Sequence, residues 1–109
     1  MLFDKFTINI NKKILELINR RQRQILVHSY IYYKEDSNLI DDFTFDKWCK
    51  ELFKLQTDNV REFEKSEYYN VFKKWSGFSG YDLFRDNETF IEMWARHKAL
   101  QLILYKNAN

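Results

Sequence analysis

Residues Tyr30–Asp46 run YIYYKEDSNLIDDFTFD: an apolar, tyrosine-rich end, a cluster of turn formers, then an apolar restart led by two acids. This is the pattern of one helix stopping and another starting. Glu35, Asp36, Ser37 and Asn38 favour a turn because short polar side chains bond to nearby backbone. Asp41 or Asp42 then suits the cap of the second helix, where a carboxylate accepts free amides and meets the positive helix end.

Upstream, Ile14, Leu17, Ile18, Ile25 and Ile31, with Leu26, Tyr30 and Tyr33, recur at helical spacing. They predict a helix from about Asn11 to Tyr33, after a lead-in over residues 1–10 with Thr7, Asn9 and Asn11 as candidate caps. Asn19–Gln24 forms a polar collar in its middle. Downstream, Phe45, Trp48, Cys49, Leu52, Phe53 and Leu55 predict a second helix from Phe43 to about Gln56. Thr57, Asp58 and Asn59 break that pattern. A third helix is expected over Val60–Trp75 with Phe63, Tyr68, Val71, Phe72 and Trp75 inward. Gly77 is the natural left-handed stop after it. Asp86 or Asn87 opens a last helix from Glu88 to about Tyr105, whose apolar set is Phe90, Ile91, Trp94, Ala95, Leu100, Leu102, Ile103 and Leu104.

Composition agrees. The 109 residues contain no proline and only two glycines, Gly77 and Gly80, against about five and about eight at average usage. Strands with tight turns lean on those residues, so the expected class is all-α: a compact bundle of about four helices joined by short loops. A single domain over 1–109 is expected, with a helical hairpin at 14–56 and additional helices at 57–109.

Several chemistries are excluded. One cysteine, Cys49, permits neither an internal disulfide nor a cysteine-only zinc site, and its best reading is a small buried apolar residue. Two histidines, His28 and His97, leave little for a metal centre or a nucleophilic triad. No Gly-rich phosphate loop, GxSxG or HExxH occurs. No catalytic residue, metal or cofactor is therefore expected. No apolar run approaches the roughly 20 residues that span a bilayer, so no membrane association and a cytoplasmic setting are expected. Charge is uneven: residues 1–34 carry seven Lys/Arg against two acids, and residues 35–109 carry eleven against fourteen. A basic first third suits a polyanion, an acidic partner or nucleic acid, and equally a solvated helix face.

The candidate site centres on the helix junction. Tyr30, Tyr32 and Tyr33 end one helix, and Asp42 and Asp46 share a face of the next, four residues apart. Aromatic faces beside carboxylates suit a flat ring and its sugar hydroxyls. Arg20, Arg21 and Arg23 offer guanidinium forks for phosphate. His28, four residues before Tyr32, faces the same way. Each also has a structural reading: helix-end packing for the tyrosines, capping for Asp42, solvated charge for the arginines, a core position for His28. Phe78 and Tyr81, after Gly77, are candidate exposed anchors for a partner.

The spacing Tyr-Tyr, eight residues, D-x-x-F-D, then Glu51-Leu52, resembles the N-terminal helical subdomain of bacterial NAD-dependent DNA ligases over roughly residues 14–56. That subdomain folds over the nicotinamide mononucleotide half of NAD. Carried across, Tyr32 and Tyr33 match its aromatic pair, and Asp42 the acid opening the second helix. Phe45 stands where the family has tyrosine and so lacks a hydroxyl. Asp46 matches the following acid, and Leu52 the packing leucine. No lysine lies in a KxDG-type motif, so ligation itself is not expected. The chain looks like small stand-alone ligase-related proteins of bacteriophages, which sets the expected location as a host bacterial cytoplasm.

The resemblance implies a non-catalytic binder of an NAD-derived or ADP-ribose-type nucleotide. NMN, NAD, ADP-ribose and a cyclic ADP-ribose isomer are the candidate ligands, and sequestration of a host immune signal is the implied role. The alternative is a protein–protein module that inhibits a host defence or nucleotidyltransferase protein, with Phe78 and Tyr81 as anchors. A nucleic-acid accessory role through the basic first helix ranks below both, and would show strong salt dependence. A half-site of this kind also suits completion by self-association into a homodimer.

Overall fold

The computed structural model describes residues 9–33, 39–77, 83 and 88–108, without the side chains of Tyr32, Tyr33, residues 88–92 and Ala108. Among them there is no strand. The helices are α1 (Lys12–Tyr33), α2 (Asp42–Asp58), α3 (Val60–Glu64), α4 (Tyr69–Phe72) and α5 (Glu88–Ala108). The all-α expectation holds.

α1 is the spine. At 22 residues it spans about 33 Å, and α2, α3 and α5 all pack on it. Its start is set by Asn11, whose Oδ1 accepts the amides of Lys13 and Ile14 at 3.1 and 3.2 Å. Those are two of the amides that a helix start leaves without partners. Ile18, Ile25, Leu26 and Ile31 are fully buried. Around them close Cys49 and Leu52 of α2, Phe72 of α4, Trp75, Leu83, and Ala95 and Ala99 of α5. Tyr30 belongs to this core, with 5% of its surface exposed. The two alanines stand one turn apart, and such small side chains let two helix axes approach closely.

α2 is capped by Asp41, whose Oδ1 accepts the Thr44 amide at 2.6 Å. That bond holds the Asp41 carboxyl below the usual carboxylate range. Asp42 is the first helical residue and is exposed. The helix passes Gln56 to end at Asp58, where the Asn59 side chain donates to the Leu55 carbonyl at 2.9 Å. The Asn59 carbonyl in turn accepts the Phe63 amide of α3 at 2.9 Å. One residue thus closes α2 and opens α3.

The single helix expected over Val60–Trp75 is broken into α3 and α4. In an unbroken helix the Glu67 amide would bond to the Phe63 carbonyl. Instead Phe63 accepts the Ser66 amide and the Ser66 hydroxyl. The Glu67 amide donates to Asn19 Oδ1 at 2.9 Å, and the Tyr68 amide to Gln22 Oε1 at 3.1 Å. Gln22 has no exposed surface. Its Nε2 donates to Gln56 Oε1 at 3.0 Å and Ser66 Oγ at 2.9 Å. The polar collar of α1 is therefore partly interior, and it reshapes the chain packed against it.

The apolar set of the last helix divides: Leu100, Leu102 and Leu104 are exposed, while Ala95, and with it Ala99, is core. Gly77 does adopt a left-handed backbone, φ 85°, and a Cβ there would stand 2.8 Å from Phe53 Cβ. Asp86, Asn87 and the turn at residues 34–38 lie outside the described residues.

Two stability predictions follow from these contacts. Gln22→Leu leaves the Gln56 carbonyl oxygen and the Tyr68 amide without this partner, while Ser66 keeps its bond to Phe63; at about 1–3 kcal/mol for each stranded group, urea denaturation should show a loss of about 2 kcal/mol or more. Gly77→Ala adds left-handed strain of about 1–2 kcal/mol to the collision with Phe53, and a thermal melt followed by circular dichroism should drop by several degrees.

Candidate functional site

α1 and α5 leave a cleft of about 450 Å³ between them, lined by Arg23, Gln24, Val27 and His28 from α1 and Trp94, Lys98, Gln101, Leu102 and Tyr105 from α5. Helical spacing puts both sets in register. Arg23 and Val27 are four apart, and Trp94, Lys98, Gln101 and Tyr105 follow one stripe at steps of four, three and four. The cleft walls are largely apolar, with two cationic side chains and no carboxylate among the lining residues.

Each polar group there has a describable state. The Arg23 guanidinium meets both oxygens of the Glu67 carboxylate at 3.0 and 3.1 Å, in the open at the cleft edge. Trp94 is half-buried, its ring against Tyr68 at 5.8 Å between centroids. Lys98, Gln101 and Tyr105 are exposed. His28 sits edge-on to the Trp48 ring, 5.3 Å between centroids. Its Nδ1 is buried and has no hydrogen-bond partner among the described residues. Burial lowers the His28 pKa below 6.5, which keeps the ring neutral at pH 7. A buried ring nitrogen of this kind is a polar group that binding can satisfy. Such a surface can bind a flat ring carrying negative charge: apolar and aromatic walls for the ring, Arg23 and Lys98 for the anion.

The other proposed ligand residues are distributed elsewhere. Arg20 is exposed on α1. Arg21 turns toward α2, with Glu51 at 3.4 Å, Gln24 at 2.9 Å and the Trp48 ring beneath it at 5.5 Å. Phe45 packs, half-buried, against the core. Asp42 and Asp46 stand on the first turns of α2, and Asp46 is paired with Lys50 at 2.9 Å. Of the nine ligand positions, Arg23 and His28 are in the α1–α5 cleft. The side chains of Tyr32 and Tyr33, in the last turn of α1, lie outside the described residues, as do Phe78 and Tyr81.

Trp94, Lys98, Gln101 and Tyr105 did not emerge from the sequence as a site. The signal available was their common stripe on α5, beside apolar residues read as core.

Two further groups can be assigned. Burial, reinforced by the charge of nearby Asp46, pushes the Cys49 thiol up to about 12, so it stays protonated and is no nucleophile. No group of three or more His, Cys, Asp or Glu side chains among the described residues is placed to hold a metal ion. Nor is any described helix long and apolar enough to cross a membrane. No family model, curated protein or solved structure matches the chain.

The His28 environment sets a pH dependence. The unfolded ring takes up a proton near 6.5 and the folded one only at lower pH. Below that value the unfolded chain binds more protons, so stability present above it is lost on acidification. Urea midpoints should fall between pH 7.5 and 5.5, and His28→Gln should flatten that fall. Native Cys49 should resist a thiol reagent at pH 8 and react fully once denatured.

Proposed function

We propose that this chain is a non-catalytic binder of a small anionic nucleotide of the NAD-derived or ADP-ribose class, held in the α1–α5 cleft. The observation that supports it best is the lining itself: aromatic Trp94 and Tyr105, cationic Arg23 and Lys98, and no carboxylate. Its volume of about 450 Å³ falls within the usual range for small-ligand sites, roughly 300–1,000 Å³. In this reading a base or nicotinamide ring lies against the aromatic wall. Lys98 meets a phosphate, and Arg23 exchanges part of its Glu67 contact for another. Gln24 and Gln101 supply donors and acceptors for ribose hydroxyls. Binding requires no nucleophile or general base. Sequestration of an NAD-derived immune signal, such as a cyclic ADP-ribose isomer, by a phage-type protein is the finer proposal. The ligase-like spacing of residues 14–56 supports the ligand class alone, since Asp42, Phe45 and Asp46, which carry it, lie outside the cleft lining.

The test is calorimetric titration with NAD, NMN, ADP-ribose and cyclic ADP-ribose isomers, with duplex DNA as control. One nucleotide should bind saturably, and more weakly at high salt because phosphate contacts are screened. Lys98→Glu and Tyr105→Ala, both at exposed positions, should each weaken binding about tenfold or more, the scale of one lost charged or stacking contact. Asp46→Ala should leave it unchanged. Loss in Asp46→Ala with retention in Lys98→Glu would move the ligand to α2. Silence from every nucleotide would end this reading.

A further inference from the structure

The end of α2 and the two short helices enclose a second pocket, of about 310 Å³, that shares no residue with the α1–α5 cleft. Five rings line it: Phe53 from α2, Phe63 from α3, Tyr69 and Phe72 from α4, and Trp75 just beyond. They stand in two edge-to-face groups. Phe63 meets Tyr69 at 4.9 Å between centroids, and Trp75 meets Phe72 at 5.0 Å and Phe53 at 6.5 Å. The break between α3 and α4 assembles this lining. Phe63 and Phe72 are nine residues apart, as are Glu64 and Lys73, which also line the pocket. On one unbroken helix, at about 100° per residue, positions nine apart point in opposite directions. The amides captured by Asn19 and Gln22 turn the chain between them, and both pairs come to face one cavity.

Three polar functions in this lining have no partner among the described residues. Glu64 and Lys73 are exposed and carry opposite charge, yet they form no ion pair with each other or with any described residue. Gln56 is only 3% exposed. Its Oε1 accepts from Gln22, while its Nε2 has no hydrogen-bond partner among the described residues. The unpartnered polar atoms fully sealed from solvent among those residues are His28 Nδ1 and Ser29 Oγ. Gln56 Nε2 therefore keeps accessible surface, and this pocket is where the side chain meets it. The polar groups lie at two depths: opposite charges at the mouth, an N–H donor at the floor, and rings between.

A ligand that answers all of these has a flat ring, a hydrogen-bond acceptor at the far end of the ring, and a head carrying both charges. We propose that the pocket binds a small aromatic zwitterion of the hydroxylated aromatic amino acid class. Its ring lies among Phe53, Phe63 and Trp75 in the offset or edge-on contacts that aromatic pairs favour. Its ammonium meets Glu64 and its carboxylate meets Lys73, both as charge-assisted hydrogen bonds. Its ring hydroxyl accepts from Gln56 Nε2 at depth, where a donor left bare is costly. A purely cationic or purely anionic aromatic ligand leaves one charge of the mouth unanswered. The volume lies at the lower end of the roughly 300–1,000 Å³ of small-ligand sites, which suits a single ring with a short head.

The test is nitrogen–proton correlation NMR of the full chain, titrated with tyrosine and three analogues. Tyramine lacks the carboxylate, para-hydroxyphenylpropionate the ammonium, and phenylalanine the acceptor on the ring. Tyrosine should bind saturably, shifting the Gln56 side-chain amide and the backbone over Phe63–Lys73. Each analogue should bind about tenfold more weakly, the scale of one hydrogen bond to a charged or buried group. Glu64→Gln, at an exposed position, should weaken tyrosine by that factor and leave para-hydroxyphenylpropionate unchanged. Lys73→Met, also exposed, should weaken tyrosine equally and leave tyramine unchanged. The proposal is overturned by the absence of a saturable shift with tyrosine, by any analogue binding as tightly, by shifts centred on Trp94 and Lys98 instead, or by full tyrosine affinity in either variant.

Discussion

The buried amide of Gln22 is the constraint around which this structure is organised. A glutamine without solvent contact must place its donors and acceptor on protein partners, because each group left bare costs free energy. Gln22 does so by reaching α2 through Gln56 and the next segment through Ser66 and the Tyr68 amide. Two parts of the chain, 34 to 46 residues beyond Gln22 in sequence, are thereby held at fixed register on α1. Apolar burial around Ile18, Ile25 and Leu26 supplies most of the driving force, yet it is non-directional. The amide supplies the direction.

Part of the charge asymmetry of the sequence is answered inside the fold. The basic first third meets the acidic remainder at Arg21–Glu51 and Arg23–Glu67. The Asn11 amide at the start of α1 adds a bond to the buried Glu62 carboxylate. These pairs are partly or wholly exposed and individually worth little. Together they orient α2 and the α3–α4 segment on the spine. They also explain why the arginines do not form one phosphate-binding cluster: Arg21 and Arg23 point to different neighbours, and Arg20 to solvent.

Local features were legible in the sequence. Asn11 marks the start of α1 and Asn59 the junction of α2 and α3, because their side chains bond to backbone within four residues. Gly77 marks the positive φ for the same local reason. The cap of α2 was narrowed to two adjacent acids, of which Asp41 takes the bond. The break between α3 and α4 was illegible, since it depends on Asn19 and Gln22 capturing amides 46 and 48 residues away. Read locally, Val60–Trp75 has a continuous apolar stripe. The cleft was illegible for a related reason. Trp94 and Lys98 become neighbours of Arg23 and His28 only once α5 lies on α1, and the sequence specifies that pairing through Ala95 and Ala99, whose smallness is easy to overlook beside leucines.

The α3–α4 segment has one more consequence. Helices of five and four residues are far below the length at which a helix persists in water. The amides of Glu67 and Tyr68, in the connection between them, are held by side chains of α1. This stretch therefore has no separate opening equilibrium of its own. In hydrogen exchange it should behave as part of the α1 cooperative unit, its amides exchanging on the timescale of the core beneath it rather than that of a surface connection.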